Sequence, residues 1–191
     1  MRPPSGQGGF SIAELLMALA LFSIMLTAMA GVYALAFKGQ ADSIRQGAVS
    51  DQGTLLHNAL NRAFAAATYV SDPAPGGTDT RLTLWENVDP ADGAGALVAG
   101  LPRTYRHFCR DASASGVYLY RGEYPRTDIV CGTTTGGDLL AGGTRMAVAA
   151  LFSREAENVV AVDYRVSFAG TSSKPLRPAA ESLRYVLRHA W

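Results

Sequence analysis

At 191 residues and 20.2 kDa the chain has room for one membrane-length helix and one modest soluble domain. Basic side chains number 17 and acidic ones 16, so the formal charge is +1, and charge alone gives no argument for a nucleic-acid partner. Two cysteines are too few for a structural zinc site, which wants four ligands at close spacings.

The chain opens on a short polar leader, residues 1–9, MRPPSGQGG, with one positive charge at Arg2. From Leu15 to Phe37 there are 23 residues without a charge, enough for a helix to cross a bilayer core of about 30 Å. One acid, Glu14, stands at the head of that run. An acid placed mid-membrane costs roughly 2.5–3.5 kcal/mol on insertion scales, so such a residue is usually paired and functional. A secretory signal places its small-residue cleavage site after the apolar run. Here the small residues, Gly8 and Gly9, come before it. Cleavage between Gly9 and Phe10 would keep the helix and create a new amine at Phe10, the natural partner for the Glu14 carboxylate.

The stretch G-F-S-I-A-E-L-L from Gly9 resembles the class III signal of type IV pilins and type II secretion pseudopilins. The resemblance covers residues 8–37. It implies that a prepilin peptidase cuts after Gly9 and methylates Phe10, and that Glu14 is the carboxylate retained for assembly. It also implies helix packing through Leu15, Leu16, Leu19 and Phe22. Major pilins usually carry a proline where this chain has Gly31, and that departure tilts the resemblance towards a minor subunit. The implied partners are other pilin or pseudopilin subunits, the peptidase, an inner-membrane assembly platform and membrane lipid. The implied location is the bacterial inner membrane, single-pass with the C-terminal domain outside the cytoplasm, and then a periplasmic or cell-surface filament.

Helix-compatible sequence continues past Lys38 to about Val70. Leu56, Leu60, Ala63, Phe64 and Ala67 recur at three- and four-residue spacings and form one apolar stripe. The stop is Ser71-Asp72-Pro73-Ala74-Pro75-Gly76-Gly77. Beyond it the period becomes strand-like. Candidate strands are 81–85, 103–109, 117–121, 128–131, 158–168 and 182–191, with 87–102 a Gly/Ala/Pro/Asp-rich loop. In the best of them Val160, Val162, Tyr164, Val166 and Phe168 alternate with smaller or polar neighbours. The expectation is class α+β: a long N-terminal helix packed on a mostly antiparallel sheet. Its divisions are a leader (1–9), a transmembrane or filament-core helix (10–37), an amphipathic continuation (38–70) and an extracytoplasmic strand-rich domain (71–191).

Cys109 and Cys131 fall in the region to be exported, where an even cysteine count suggests one disulfide tying two neighbouring strands; two buried free thiols are the alternative. With 60 residues after Cys131, the C-terminal disulfide loop of many major pilins does not carry over. The layout looks more like the W-type minor pilins and J-type minor pseudopilins.

No catalytic constellation is present. His57, His107 and His189 lack metal-ligand spacing, and no G-x-S-x-G, Walker A or G-x-G-x-x-G motif occurs. Asp89-Pro90-Ala91-Asp92-Gly93 lacks EF-hand spacing and reads as an acidic turn before it reads as a calcium site. No cofactor or metal is therefore expected. Aromatic and basic residues interleave at Tyr105-Arg106-His107-Phe108 and at Tyr118-Leu119-Tyr120-Arg121, a composition that can stack and neutralise single-stranded DNA. On strands, alternate aromatics more often face a core while arginines face water, so DNA is a minor candidate ligand. The rival to assembly is a membrane-anchored module that binds DNA or another ligand and never enters a filament.

Overall fold

The computed structural model describes residues 11–91, 93–111, 116–125, 128–170 and 175–187. Among the described residues one helix, α1 (Ile12–Ala66), is followed by nine strands: β1 (Tyr69–Asp72), β2 (Thr78–Asp79), β3 (Arg81–Glu86), β4 (Thr104–Asp111), β5 (Gly116–Glu123), β6 (Asp138–Ala141), β7 (Met146–Ala156), β8 (Val159–Phe168) and β9 (Ala179–Val186). The architecture is α+β. The chain divides into two compact units, residues 1–43 and 44–191.

In the first unit the helix is apolar all round, and every described side chain from 11 to 40 is exposed. The helix passes through Gly31 without interruption. Two of its hydroxyls return to the helix itself: Ser23 Oγ donates to the Ala20 carbonyl and Thr27 Oγ1 to the Ser23 carbonyl, both at 2.8 Å. Such internal bonds are what hydroxyls need where no water is available.

The second unit is built on two antiparallel sheets where the sequence suggested one. A five-stranded sheet runs β1-β3-β4-β5-β6 and a four-stranded sheet runs β2-β7-β8-β9. The helix stripe lies against them: Leu56, Leu60, Ala63 and Phe64 are buried as the spacing predicts, joined by Val49. At Gly53 the helix lies tight against β9, where a Cβ would stand 2.7 Å from that of Ala179. Polar side chains on the helix complete the seam. Gln52 clasps the backbone of Gly142 with both ends of its amide, at 2.9 and 3.3 Å, and Gln46 clasps Arg177 the same way, at 2.9 Å each. Tyr185 stacks on Phe64 with ring centroids 3.9 Å apart and donates to Asn61 Oδ1 at 2.7 Å. The helix ends at Ala66, four residues before the expected Val70. Thr68 takes up strand-like pairing instead, donating its amide to the Trp85 carbonyl at 2.7 Å and its hydroxyl to that of Val88 at 2.9 Å.

Five of the six strands read from the sequence are present with shifted ends. The sixth, 128–131, is a turn. There the amides of Thr133 and Thr134 both bond the Val130 carbonyl, and Thr134 Oγ1 accepts the Val130 amide at 2.9 Å. Cys131 is joined to Cys109 of β4, Cα–Cα 5.9 Å, so the disulfide ties a strand to a turn rather than two strands. The longest strand, β7, has no counterpart in the sequence reading. Its inward positions are Met146, Val148, Ala150, Phe152 and Arg154. Arg154 is buried because its guanidinium donates to the Val70 carbonyl at 2.7 Å and to that of Glu157 at 2.8 and 3.1 Å.

Truncating the buried Leu56 to Ala should lower the unfolding free energy of the full chain by about 2–5 kcal/mol. Leu55→Ala, on the exposed side of the same turn, should stay within about 0.5 kcal/mol in denaturant titrations. Burial raises the Tyr185 phenol to about 12 and also pushes Tyr164 upward, with Glu181 adding to both shifts. Their phenolates are disfavoured in the folded state. Stability should therefore be complete below the ordinary tyrosine value near 10 and fall as pH rises towards 12. Tyr185→Phe should flatten that alkaline loss in thermal unfolding followed across pH.

Candidate functional site: the helix N-terminus

The first turn of α1 is closed by its own side chains. Glu14 donates its amide to Ser11 Oγ at 3.2 Å, and the Ser11 amide donates to Glu14 Oε2 at 3.1 Å. Leu15 begins the helical ladder by donating to the Ser11 carbonyl at 3.2 Å. Ser11 is thus the N-cap and Glu14 the third helical residue, a reciprocal capping box that satisfies two otherwise orphaned amides. The helix dipole adds to this, since a carboxylate in the first turn is favoured by about 0.3–1 kcal/mol. The sequence reading passed over this arrangement, although S-x-x-E ahead of an apolar run is its signature.

The cap decides where the carboxylate points. Unconstrained, Glu14 has several rotamers; bonded to the Ser11 amide, it is folded back towards the chain's N-terminal end. Only Oε2 takes part in that bond. An ionised carboxylate has about four acceptor positions, so a further donor can be received without releasing the cap. Gly9 and Phe10 lie outside the described residues.

On the helix, Leu15, Leu19 and Phe22 fall on one face at i, i+4 and i+7, with Leu16 at its border. All four remain exposed by 57–61% in the isolated chain. A surface of that kind is unfavourable in water by roughly 25 cal/mol for each Å² left uncovered. Mean hydropathy over the best 18-residue window of α1 is 2.3, so the helix is long and apolar enough to cross a membrane.

Elsewhere the residues singled out in the sequence have structural partners. His57 Nδ1 lies 2.6 Å from Glu181 Oε2, and His107 Nδ1 lies 2.8 Å from Thr83 Oγ1 in the core; His189 lies outside the described residues. Asp89 receives the Ala91 amide on its side chain and the Gly93 amide on its carbonyl, both at 2.8 Å, as a turn-former does. Asp92 lies outside the described residues.

The aromatic–basic strands do not form a stacking platform. Tyr105, Phe108 and Tyr120 are buried, Tyr120 beneath the disulfide turn, where its hydroxyl accepts the Gly132 amide at 3.1 Å. Arg106 and Arg121 pair with Glu86 and Asp138 at 2.7 and 3.4 Å. Tyr118 is half-buried and Arg121 exposed, so burial of the other rings leaves little aromatic surface on these strands for stacking bases.

Residues 4–30 match the model of the prokaryotic N-terminal methylation motif. The match contains Gly9, Phe10, Ser11, Glu14 and the four apolar residues above, so the N-terminal segment is similar to the prepilin-type methylation motif. No curated protein and no solved structure matches the chain.

Replacing Ser11 by Ala removes one half of the capping box, at about 0.5–2 kcal/mol. Amides of the first turn should then exchange with solvent roughly two- to thirty-fold faster in the micelle-bound full chain, with residues 44–66 unchanged.

Proposed function

We propose that this chain is a minor pilin or pseudopilin subunit, cleaved between Gly9 and Phe10 and N-methylated at Phe10. It then assembles through its N-terminal helix into, or at the start or cap of, a type IV pilus, competence pilus or type II secretion pseudopilus. The observation that carries this reading is the pairing of a helix whose described side chains from 11 to 40 are all exposed with a first turn that holds a carboxylate in place. Lipid covers such a helix while the subunit waits in the inner membrane, with the strand-rich unit outside the cytoplasm. Neighbouring helices cover it in a filament, through Leu15, Leu16, Leu19 and Phe22.

Glu14 gives the assembly its register. A carboxylate and a terminal ammonium are each unfavourable in apolar surroundings, and pairing them between subunits relieves both. The cap leaves Glu14 able to accept the Phe10 amine of a neighbour while still bonded to Ser11. The large strand-rich unit behind a helix with Gly31 in place of proline supports a minor role of the W or J type. Prepilin peptidase and the inner-membrane assembly platform are the other partners.

Two substitutions at Glu14 separate capping from charge. Glutamine keeps the capping box but loses the carboxylate; leucine loses both. A charge-assisted bond contributes about 1.5–3 kcal/mol, so both variants should be cut by the peptidase yet enter sheared filaments roughly tenfold less than the parent chain. Wild-type incorporation of Glu14→Gln, scored by immunoblot of the sheared fraction, would reduce Glu14 to a helix cap and remove its role in register.

A further inference from the structure

Arg154 carries a positive charge into the second unit, where the residue is only 5% exposed. A guanidinium has five N–H donors and no acceptor. Three of them are spent on main-chain carbonyls: Nη1 donates to Val70, while Nε and Nη2 share the carbonyl of Glu157. One N–H on each terminal nitrogen is left over. Carbonyls satisfy hydrogens but leave the formal charge unanswered, and a buried charge is costly until an opposite one meets it. Among the described residues no carboxylate pairs with Arg154. The Tyr69 ring lies 5.9 Å from the guanidinium carbon, a cation–π contact that softens the deficit without neutralising it.

The same guanidinium lines a cavity of about 260 Å³, bounded by β1, the β7–β8 turn and the loops that carry Pro75 and Pro90. A single water needs roughly 10–15 Å³, so the space suits a side chain or a small organic molecule. Two further groups on its wall have hydrogens to give. The Tyr69 hydroxyl and the Asn158 carboxamide make no hydrogen bond among the described residues. Arg154 is the one base among the described lining residues. Glu157 is the one acid there, and it is exposed while its main-chain carbonyl holds the guanidinium.

We propose that this cavity is a binding site for a carboxylate, received by the free N–H groups of Arg154 and by the donors of Tyr69 and Asn158. Guanidinium and carboxylate are both planar, and their pairing is charge-assisted. One negative charge answers one positive charge. A phosphate group carries about −1.5 to −2 near neutral pH, and a wall with a single base would leave the excess buried. The carboxylate can belong to an acidic side chain of another chain or to a free small acid. The site lies wholly within the second unit and needs nothing of the N-terminal helix, so it stands or falls apart from the filament reading.

The test is thermal unfolding of the full chain in a non-ionic detergent, with sodium acetate replacing chloride at fixed ionic strength. A ligand that binds only the folded state raises the melting temperature with its concentration. Acetate should do so saturably, and inorganic phosphate at equal ionic strength should not. Asn158→Asp, which sets a carboxylate inside the cavity, should melt no lower than the parent and lose the acetate response. Tyr69→Phe should keep the fold and bind acetate about tenfold more weakly. A capped tripeptide with a central glutamate separates the two sources. Tighter binding than acetate assigns the cavity to an acidic side chain, and weaker binding to a free small acid. No acetate response in the parent, or an undiminished one in both variants, overturns the proposal. So does a melting temperature for Glu157→Gln below that of the parent, because Glu157 would then be the counter-charge. A stronger response to phosphate than to acetate overturns the choice of ligand.

Discussion

A carboxylate held at the head of an uncharged helix is the constraint on which this molecule turns. From Leu15 to Phe37 the chain offers no other charge, and every side chain in that run is exposed. The apolar length calls for lipid or neighbouring helices. The carboxylate calls for a cation near its own level. The capping box with Ser11 reconciles the two while the chain is alone, because it stabilises the charge through the helix dipole and an amide and fixes the side chain without using all its acceptor capacity. Glu14 is therefore presented rather than hidden.

The second unit solves a different problem, which is to hold an amphipathic helix on strands. Burial of Leu56, Leu60 and Phe64 supplies most of the driving force. Orientation comes from polar clasps at separate heights: Gln46 with Arg177, Gln52 with Gly142, His57 with Glu181 and Asn61 with Tyr185. Hydrophobic contact is tolerant of sliding, whereas paired amide bonds are not. A helix held in this way keeps β9 in place through Glu181 and Tyr185.

Helix and strand patterns were legible in the sequence wherever side-chain size differed between the two faces. The α1 stripe and β8 both have large residues inward and small or polar ones outward. β7 was illegible because alanine stands on both faces, at Ala147, Ala149 and Ala150, and because an arginine occupies an inward position. A buried Arg154 makes sense only once the carbonyls of Val70 and Glu157 are brought to it by the fold. Residues 128–131 failed for the opposite reason: β-prone side chains were overridden by local amide and hydroxyl bonds to Val130 and by the link to Cys109. At the candidate site Glu14 was legible from its isolation in the apolar run. Its bond to Ser11 has a sequence signature too, S-x-x-E ahead of an apolar run.

The account stands or falls on the amine at Phe10, since without it the presented carboxylate has no designated partner. The direct measurement is the intact mass and N-terminal peptide of the protein purified from its own host's membranes. The account predicts a chain that begins at N-methylated Phe10. A chain still beginning at Met1, in cells whose peptidase cuts other prepilins, would contradict it and leave the membrane-anchored module that never assembles as the better description.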